Sequence, residues 1–167
     1  EQALERIRAA VEAREQGADL VIIARTDARS ALAASHGETQ ALEEALWRLN
    51  AFADLGADVV FLEAPRSEQE MARFCRQVPG WRMANMLEGG KTPIMTTKEL
   101  ESLGFSLAVR PITLLSTAIK AMQAALNDLK NEQDTTPNML PSFAELKTVV
   151  GFDEYFEEEK KYVVNKD

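Results

Sequence analysis

Charged and amide side chains stand at the ends of four short apolar segments of this sequence. Arg25 to Asp27 end the first segment, Glu63 follows the second, Asn85 follows the third, and Arg110 and Pro111 follow the fourth. If these segments are parallel strands, their carboxyl ends share one edge of a sheet, where α/β proteins place their sites. A guanidinium binds a carboxylate through two parallel hydrogen bonds, an amide orients a second oxygen, and a carboxylate accepts a proton. The set therefore suits a small anionic substrate.

A structural interpretation of the same residues stays open. Strands commonly become polar where they emerge into loops, without any part in catalysis. Arg25 and Glu63 each follow an apolar run and therefore need a partner. The two could simply pair with each other across neighbouring strands.

A weak internal repeat predicts the elements that position these side chains. Gly17 to Ile23 and Gly56 to Leu62 have nearly the same sequence, and each follows an amphipathic helical stretch. Glycine is expected just past a helix C-terminus, and the short β-branched runs after it are typical of strands buried on both faces of a parallel sheet. Gly80 and Gly104 precede two further runs. We therefore predict strands near 20–24, 58–62, 81–84 and 105–109.

Apolar residues at helical spacing predict helices between these strands and after the last one. One stripe runs from Leu42 to Leu55, a second from Met71 to Val78, and a third from Leu115 to Leu129. The segment between Arg25 and Glu38 has no such pattern. We predict a long loop there, and loops of that length are usually functional or mobile.

The chain divides by composition into three predicted parts. Residues 1–130 hold the strand–helix units, 131–141 form a polar linker, and 142–167 form a helical tail. The tail opens with Ser142 to Glu145, a capping-box pattern that starts a helix. Gly151 is expected to end that helix, and an acidic helix follows.

Composition and charge exclude several classes of partner. The net charge is −8, with 19 Lys and Arg against 27 Asp and Glu, which argues against nucleic-acid binding through a basic face. The apolar runs are far shorter than the ~18 residues that span a bilayer, so no membrane partner is predicted. The single cysteine, Cys75, excludes an internal disulfide framework and a cysteine-rich zinc site. It lies on a predicted apolar stripe and is expected in the core.

Three further features look functional, but a simpler interpretation is favoured for each. Gly89 to Thr92 looks like part of a nucleotide-binding loop, but Asn85 stands where that signature needs its first glycine. Its glycines are expected to let the backbone approach an anion or to form a mobile turn. His36, the single histidine, is expected to be solvated. Met83, Met86 and Met95 could line a pocket, but packing in the core is favoured.

Five stretches of this sequence together point to one family. They are Ile23 to Ala28, Phe61 to Pro65, Ala84 to Pro93, Leu100 to Pro111 and Ser142 to Phe152. In this order they resemble the isocitrate lyase/phosphoenolpyruvate mutase superfamily, in the methylisocitrate-lyase-like branch that includes the plant petal death protein. The resemblance implies an α/β fold, a (β/α)8 TIM barrel. This chain would supply about its last four strand–helix units plus the C-terminal helices.

The resemblance also implies roles for five residues. Arg25 would hold the substrate carboxylate and stabilise a developing oxyanion, and Glu63 would orient Arg25 or a water. Asn85, with the backbone of Gly89, would hold the distal carboxylate, and Pro111 would shape the pocket wall. Mg²⁺ is the implied cofactor. Its ligands and the general acid are expected upstream, with no metal ligand in this chain.

The implied activity is Mg²⁺-dependent retro-aldol cleavage of small 2-hydroxy di- or tricarboxylates such as 2-methylisocitrate. Alternatives within the superfamily are oxaloacetate hydrolysis or decarboxylation, and rearrangement between phosphoenolpyruvate and phosphonopyruvate. The resemblance further implies a homo-oligomer, a homotetramer, in which the helix from Ile112 is exchanged between subunits. A cytoplasmic location is expected, with any organellar targeting segment lying upstream of Glu1.

Two hypotheses of other classes stay open beside the enzyme. A half-barrel has unpaired strand edges, which are association surfaces, so the chain could be a catalytically inactive association module. An independent flavodoxin-like domain would need a crevice of its own at a topological switch point. No phosphate-binding loop follows the first predicted strand, which disfavours that third possibility.

Overall fold

The computed structural model describes residues 1–133 and 140–162 of the chain. The strands in this part of the chain are β1 Ile23–Thr26, β2 Val59–Leu62, β3 Trp81–Asn85 and β4 Leu107–Val109. The helices are α1 Gln2–Glu15, α2 Ala28–Ala31, α3 Ala33–His36, α4 Glu38–Asp54, α5 Glu68–Gln77, α6 Thr97–Leu103, α7 Thr113–Lys130, α8 Phe143–Val149 and α9 Phe152–Lys160. The chain forms two compact units, Glu1–Leu114 and Leu115–Asp167.

The four strands form one parallel sheet in the order β1-β2-β3-β4. Helices connect successive strands, as parallel pairing requires. Within the described residues, β1 and β4 are the edge strands, each paired on one side. The predicted alternation of helices and parallel strands is confirmed.

One face of the sheet is buried under α4 and α5. The predicted stripe on α4 is buried against Ala24, Val60 and Leu62 of the sheet. Phe74 and Cys75 of α5 join the same core. Both predicted stripes and the core position of Cys75 are therefore confirmed. Met86 and Met95 pack in a second buried cluster, as predicted, whereas Met83 is only partly buried.

The helices leave the opposite face of the sheet partly uncovered, and we call this the open face. The large apolar residues exposed on it are Ile23, Trp81, Leu107 and Val109. The expectation that strands are buried on both faces is right for β2, all of whose residues are buried, and wrong for β1, whose residues alternate between exposed and buried. The physical reason is that α4 and α5 cover only one side of the sheet.

Two strands begin later than the apolar runs predict. β1 spans 23–26 rather than 20–24, and β4 spans 107–109 rather than 105–109. Just before β1, the carbonyl of Ile22 accepts from the N–H of Val59 in β2 (3.0 Å), but its N–H donates to the side-chain carboxylate of Asp58 (2.8 Å). The N–H of Phe105 donates to the carbonyl of Leu100 (3.0 Å) and completes the end of α6 instead. The other two strands agree with the prediction to within one residue.

The predicted long loop between Arg25 and Glu38 is largely helical, which corrects that expectation. It contains the short helices α2 and α3. Arg29 of α2 is buried and makes the contacts that hold this segment. His36 ends α3 and is exposed, as predicted, and its Nδ1 lies 2.7 Å from the hydroxyl of Ser35.

In the second unit, apolar residues of α7 are exposed within this chain. The helix α8 begins with the predicted capping box, in which Ser142 and Glu145 exchange hydrogen bonds. Gly151 follows α8 with a positive φ of 83° and starts α9. The predicted linker and tail include residues 134–139 and 163–167, which lie outside the described residues. No helix in the described ranges is long and apolar enough to cross a membrane.

Candidate active site

The register of the sheet places the predicted site residues at its carboxyl edge. Arg25 lies level with Phe61 and Met83 of the neighbouring strands. Asn85 ends β3 two residues after Met83, and Glu63 directly follows β2, two residues after Phe61. Since side chains two residues apart in a strand point to the same face, Arg25, Glu63 and Asn85 belong to the open face.

The guanidinium of Arg25 is oriented by Asp27. Nε of Arg25 donates to Oδ2 of Asp27 (2.9 Å) and Nη2 donates to Oδ1 (2.7 Å), which is a bidentate pair. Oε2 of Glu63 lies 3.6 Å from Nη2, close enough for ion pairing but beyond a hydrogen bond. The guanidinium also lies 5.2 Å from the ring centre of Phe61. The pairing of Arg25 with Glu63 that the sequence left open is therefore secondary to the pair with Asp27.

The pKa values of this pair follow from the same contact. The hydrogen bond to Asp27 raises the pKa of Arg25 above its ordinary value. The hydrogen bond from Arg25 lowers the pKa of Asp27. Both groups are therefore charged at neutral pH.

Glu63 and Asn85 each hold a buried oxygen without a hydrogen-bond partner. Oε2 of Glu63 and Oδ1 of Asn85 are shielded from solvent and accept no hydrogen bond among the described residues. Buried acceptors of this kind need a donor, which a water or a substrate hydroxyl can supply. Ala64 follows Glu63 with φ of 52°, and a left-handed conformation is uncommon outside glycine. Such strain is frequent at functional sites.

The loop that carries Gly89 is held by contacts of the preceding residue, Glu88. The hydroxyl of Thr113 donates to Oε1 of Glu88 (2.5 Å), and Nη1 of Arg110 lies 4.0 Å from the same oxygen. Nη2 of Arg110 also donates to the carbonyl of Met95 (3.2 Å). Arg110 thus contacts this loop. Gly89 has φ of 76°, a backbone conformation that favours glycine.

The structure brings together only some of the predicted residues. Arg25 and Glu63 are in contact. In the part of the chain that the structure describes, no hydrogen bond or ion pair joins either of them to Asn85, Gly89 or Pro111. Those three belong to neighbouring segments at the same edge of the sheet.

Beside the site lies a buried network of ion pairs that was not predicted from the sequence. Arg29, with 2% of its side chain exposed, binds both carboxylate oxygens of Glu70 (2.6 and 2.9 Å) and pairs with Glu38. The backbone N–H of Arg66 donates to Glu70 (2.9 Å), and its guanidinium pairs with Glu38. The signal available in the sequence was two arginines, Arg25 and Arg29, four residues apart. Nothing in that spacing indicates that the second one is buried.

The described residues do not form a metal site by themselves. No group of three or more His, Cys, Asp or Glu side chains among them could hold a metal ion. Both oxygens of Asp27 bind Arg25, which leaves Glu63 as a lone carboxylate on the open face near it. Mg²⁺ prefers octahedral coordination by several oxygens, so this set does not fit it.

Comparison with known proteins identifies the family. The family model of phosphoenolpyruvate phosphomutase matches residues 1–130. The chain is 37% identical over 169 residues to 2,3-dimethylmalate lyase of Eubacterium barkeri, covering 99% of this chain and 55% of that protein. It is 35% identical to the petal death protein of Dianthus caryophyllus, covering 86% of this chain and 43% of that protein.

A solved structure supports the same assignment. Oxaloacetate acetylhydrolase in complex with oxalate superposes with a TM-score of 0.79 at 32% identity, covering 96% of this chain and 53% of that one. The chain thus spans about half the length of the relatives it matches, and it supplies about half of a TIM barrel. We conclude that the chain belongs to the phosphoenolpyruvate mutase/isocitrate lyase superfamily.

Proposed function

We propose that this chain contributes part of the active site of a carbon–carbon lyase. The reaction is retro-aldol cleavage of a small 2-hydroxy di- or tricarboxylate such as 2-methylisocitrate. The observation that carries the proposal is the Arg25 guanidinium, held by Asp27 at the carboxyl end of a parallel strand. It occurs in a chain similar to 2,3-dimethylmalate lyase and to several proteins named 2-methylisocitrate lyase.

Arg25 retains the donors that this role needs. An arginine has five N–H groups, and the pair with Asp27 uses one on Nε and one on Nη2. The two on Nη1 are left for a substrate carboxylate and for the oxyanion that develops as the bond breaks, while the second N–H on Nη2 lies on the side of Glu63. Because Asp27 already fixes the plane of the guanidinium, little reorganisation is required when substrate binds.

Glu63 supplies an acceptor next to this cation, and Asn85 supplies an amide N–H at the same edge of the sheet. In a retro-aldol cleavage the substrate hydroxyl loses its proton, a carbonyl forms at that carbon, and the electrons of the broken bond pass to the other fragment. Oε2 of Glu63 accepts no hydrogen bond within the described residues. It is therefore suited to accept one from that hydroxyl or from a water, beside the cation. Asn85, with the backbone of Gly89, holds the distal carboxylate, and Pro111 shapes the pocket wall.

Charge explains why a divalent cation belongs to the proposal. Arg25 contributes one positive charge, and Asp27 and Glu63 contribute two negative charges. A di- or tricarboxylate would add further negative charge to this site. Mg²⁺, when bound, would offset that charge and polarise a substrate oxygen. The described residues do not form its ligand set, so no step is assigned to it.

The test is turnover by the protein that carries this chain. With Mg²⁺ present, we expect cleavage of 2-methylisocitrate or 2,3-dimethylmalate. Arg25→Lys should lower kcat/KM by about 10²–10³-fold, the usual effect of losing one oxyanion donor. The matched control is Arg73→Lys, which changes an arginine of α5 that pairs with Glu43 away from the open face.

Other substrates in the same assay decide between related activities. Hydrolysis or decarboxylation of oxaloacetate, or rearrangement of phosphonopyruvate, in place of cleavage would select one of the two alternatives within the superfamily. Turnover of none of the four substrates would overturn the enzymatic proposal.

A second candidate function, an association module, is favoured by one observation. The open face exposes Ile23, Trp81, Leu107 and Val109, and β1 and β4 each have an unpaired edge within the described residues. Surfaces of this kind promote pairing with another chain. A monodisperse monomer of the 167-residue chain in solution would argue strongly against this function.

Three further predictions accompany the proposed lyase function: a homo-oligomer, a homotetramer and a cytoplasmic location. The homo-oligomer with an exchanged C-terminal helix is supported by the exposed apolar residues of α7, among them Leu115, Ile119 and Met122. The homotetramer and the cytoplasmic location stay predictions. The molar mass in solution tests the homo-oligomer and the homotetramer.

A further inference from the structure

Arg29 is an arginine buried within a four-charge network. Nε and Nη2 of Arg29 bind the two oxygens of Glu70 at 2.9 and 2.6 Å, and Nη1 pairs with Glu38. Arg66 closes the network, because its N–H donates to Glu70 and its guanidinium pairs with Glu38. The four residues come from α2, the start of α4, and the segment that runs from the β2–α5 connection into the first turn of α5. The network therefore ties three segments together.

The network is joined to the candidate site through a single helical turn. Asp27 caps α2, and its carbonyl accepts hydrogen bonds from the N–H groups of Ser30 and Ala31 (3.0 Å each). Arg29 belongs to the same turn. A helix of one turn is unstable alone, since nucleation is unfavourable. Contacts outside the turn must therefore hold it: Ala28 packs in the hydrophobic core, and Arg29 makes the buried ion pair with Glu70.

The pair between Arg25 and Asp27 does not hold itself in place. Their side chains are 48% and 57% exposed, and exposed ion pairs contribute little because water competes and side-chain entropy is lost. The direction of the Arg25 guanidinium consequently depends on where the backbone of Asp27 lies. That backbone is part of the turn that Arg29 secures.

We infer that Arg29 and Glu70 are positioning residues for Arg25. Their buried ion pair fixes the turn of α2, this turn places Asp27, and Asp27 orients the guanidinium toward the substrate. The inference rests on the proposed function for its catalytic consequence, although the orientation itself can be measured without turnover. Neither Arg29 nor Glu70 contacts the substrate in this account.

The test uses Glu70→Gln, which keeps the shape of the side chain and removes its charge. The matched control is Glu43→Gln, which removes a charge from an exposed pair between α4 and Arg73 of α5. The readout is the NMR signal of the Arg25 Nε–H group, assigned by its loss in Arg25→Lys. In the wild type and in Glu43→Gln we expect a shifted signal that exchanges slowly with water. In Glu70→Gln we expect the shift and exchange rate to move toward those of a free arginine.

Activity gives a second, separable readout. Glu70→Gln should lower kcat/KM by about ten- to hundredfold, as small misplacements of a binding group do, with Glu43→Gln unchanged. If the Arg25 signal responds as expected but no version turns over any substrate, the proposed function fails and the inference stands. An unchanged Arg25 signal in folded Glu70→Gln would overturn the inference, whatever the activity.

A second variant keeps the test decisive if Glu70→Gln does not fold. Glu38→Gln removes the half-exposed member of the network and leaves the pair of Arg29 with Glu70. It should move the Arg25 signal in the same direction by a smaller amount. No movement in this variant would then refute the positioning role.

Discussion

Arg82 of β3 offers a sharp test of how the strands and helices around the site are held. Its Nε donates to the carbonyl of Gly104 (2.9 Å), and Nη1 donates to the carbonyls of Cys75 (3.2 Å) and Val78 (2.9 Å). These carbonyls lie at the C-terminal ends of α5 and α6, where a positive charge is favourable. One side chain thus fastens two helix ends to the strand that ends at Asn85. We therefore predict that Arg82→Met destabilises the unit Glu1–Leu114.

The size of the effect follows from these contacts. Methionine retains the apolar stem, so the change removes the charged hydrogen bonds with little loss of packing. A hydrogen bond to a charged group contributes about 1.5–3 kcal/mol, and three bonds sharing one half-buried guanidinium contribute less than their sum because water reaches part of the site. We expect a loss of about 3 kcal/mol in the free energy of unfolding. Arg82→Lys keeps the charge but cannot reach both helix ends, so it should restore about half of this.

The assay is equilibrium unfolding in urea, followed by tryptophan fluorescence. Both tryptophans, Trp47 and Trp81, belong to the unit that contains Arg82. Arg73→Met serves as the control, because its pair with Glu43 is largely exposed and should contribute less than about 1 kcal/mol. A loss of under about 1 kcal/mol in Arg82→Met, or full stability in Arg82→Lys, would refute the reasoning.

Three further predictions concern other parts of the same unit. Burial raises the pKa of the Cys75 thiol to about 11, so it should react slowly with a disulfide reagent at pH 8 and rapidly in urea; rapid native labelling would contradict this. Gly104 ends α6 with φ of 104°, a conformation that strains alanine. Gly104→Ala should therefore lower the free energy of unfolding, measured in urea, by about 1–2 kcal/mol, and an unchanged free energy would contradict this. The N–H of Ile22 and the guanidinium of Arg14 lower the pKa of Asp58 below its ordinary 3.8. Its stabilisation is therefore complete above that value and lost as the pH falls through the lowered pKa. Asp58→Asn should reduce the loss in free energy of unfolding that occurs as the pH is lowered below about 4. An unchanged loss would contradict the role given to Asp58.

Much of the fold follows from local patterns in the sequence. The apolar stripes of α4 and α5 have the period of a helix, and both stripes are buried. The glycines at 17, 56, 80 and 104 adopt positive φ before their strands. Such features need only a few neighbouring residues, so they can be read without knowing which segments meet in space.

The candidate site was predicted in part. Arg25 and Glu63 were identified because polar residues at the ends of parallel strands converge at one edge, and the two do meet. The partner that orients Arg25 was harder to identify, because Asp27 is two residues away on a turn whose geometry depends on α2. Asn85, Gly89 and Pro111 remain predictions as substrate-binding residues.

The positions of the charges and of the strand ends depend on contacts that only the fold creates. The sequence predicts the alternation of the longer helices with the strands and the edge of the sheet that carries polar residues, but not the short helices α2 and α3. It did not reveal that Arg29 is buried, since its partners Glu38 and Glu70 lie in segments distant along the chain. Nor did it reveal that the carboxylate of Asp58 accepts a hydrogen bond from the N–H of Ile22, just before β1 begins. Periodicity is a local property of the chain, whereas burial and ion pairing depend on contacts between distant segments.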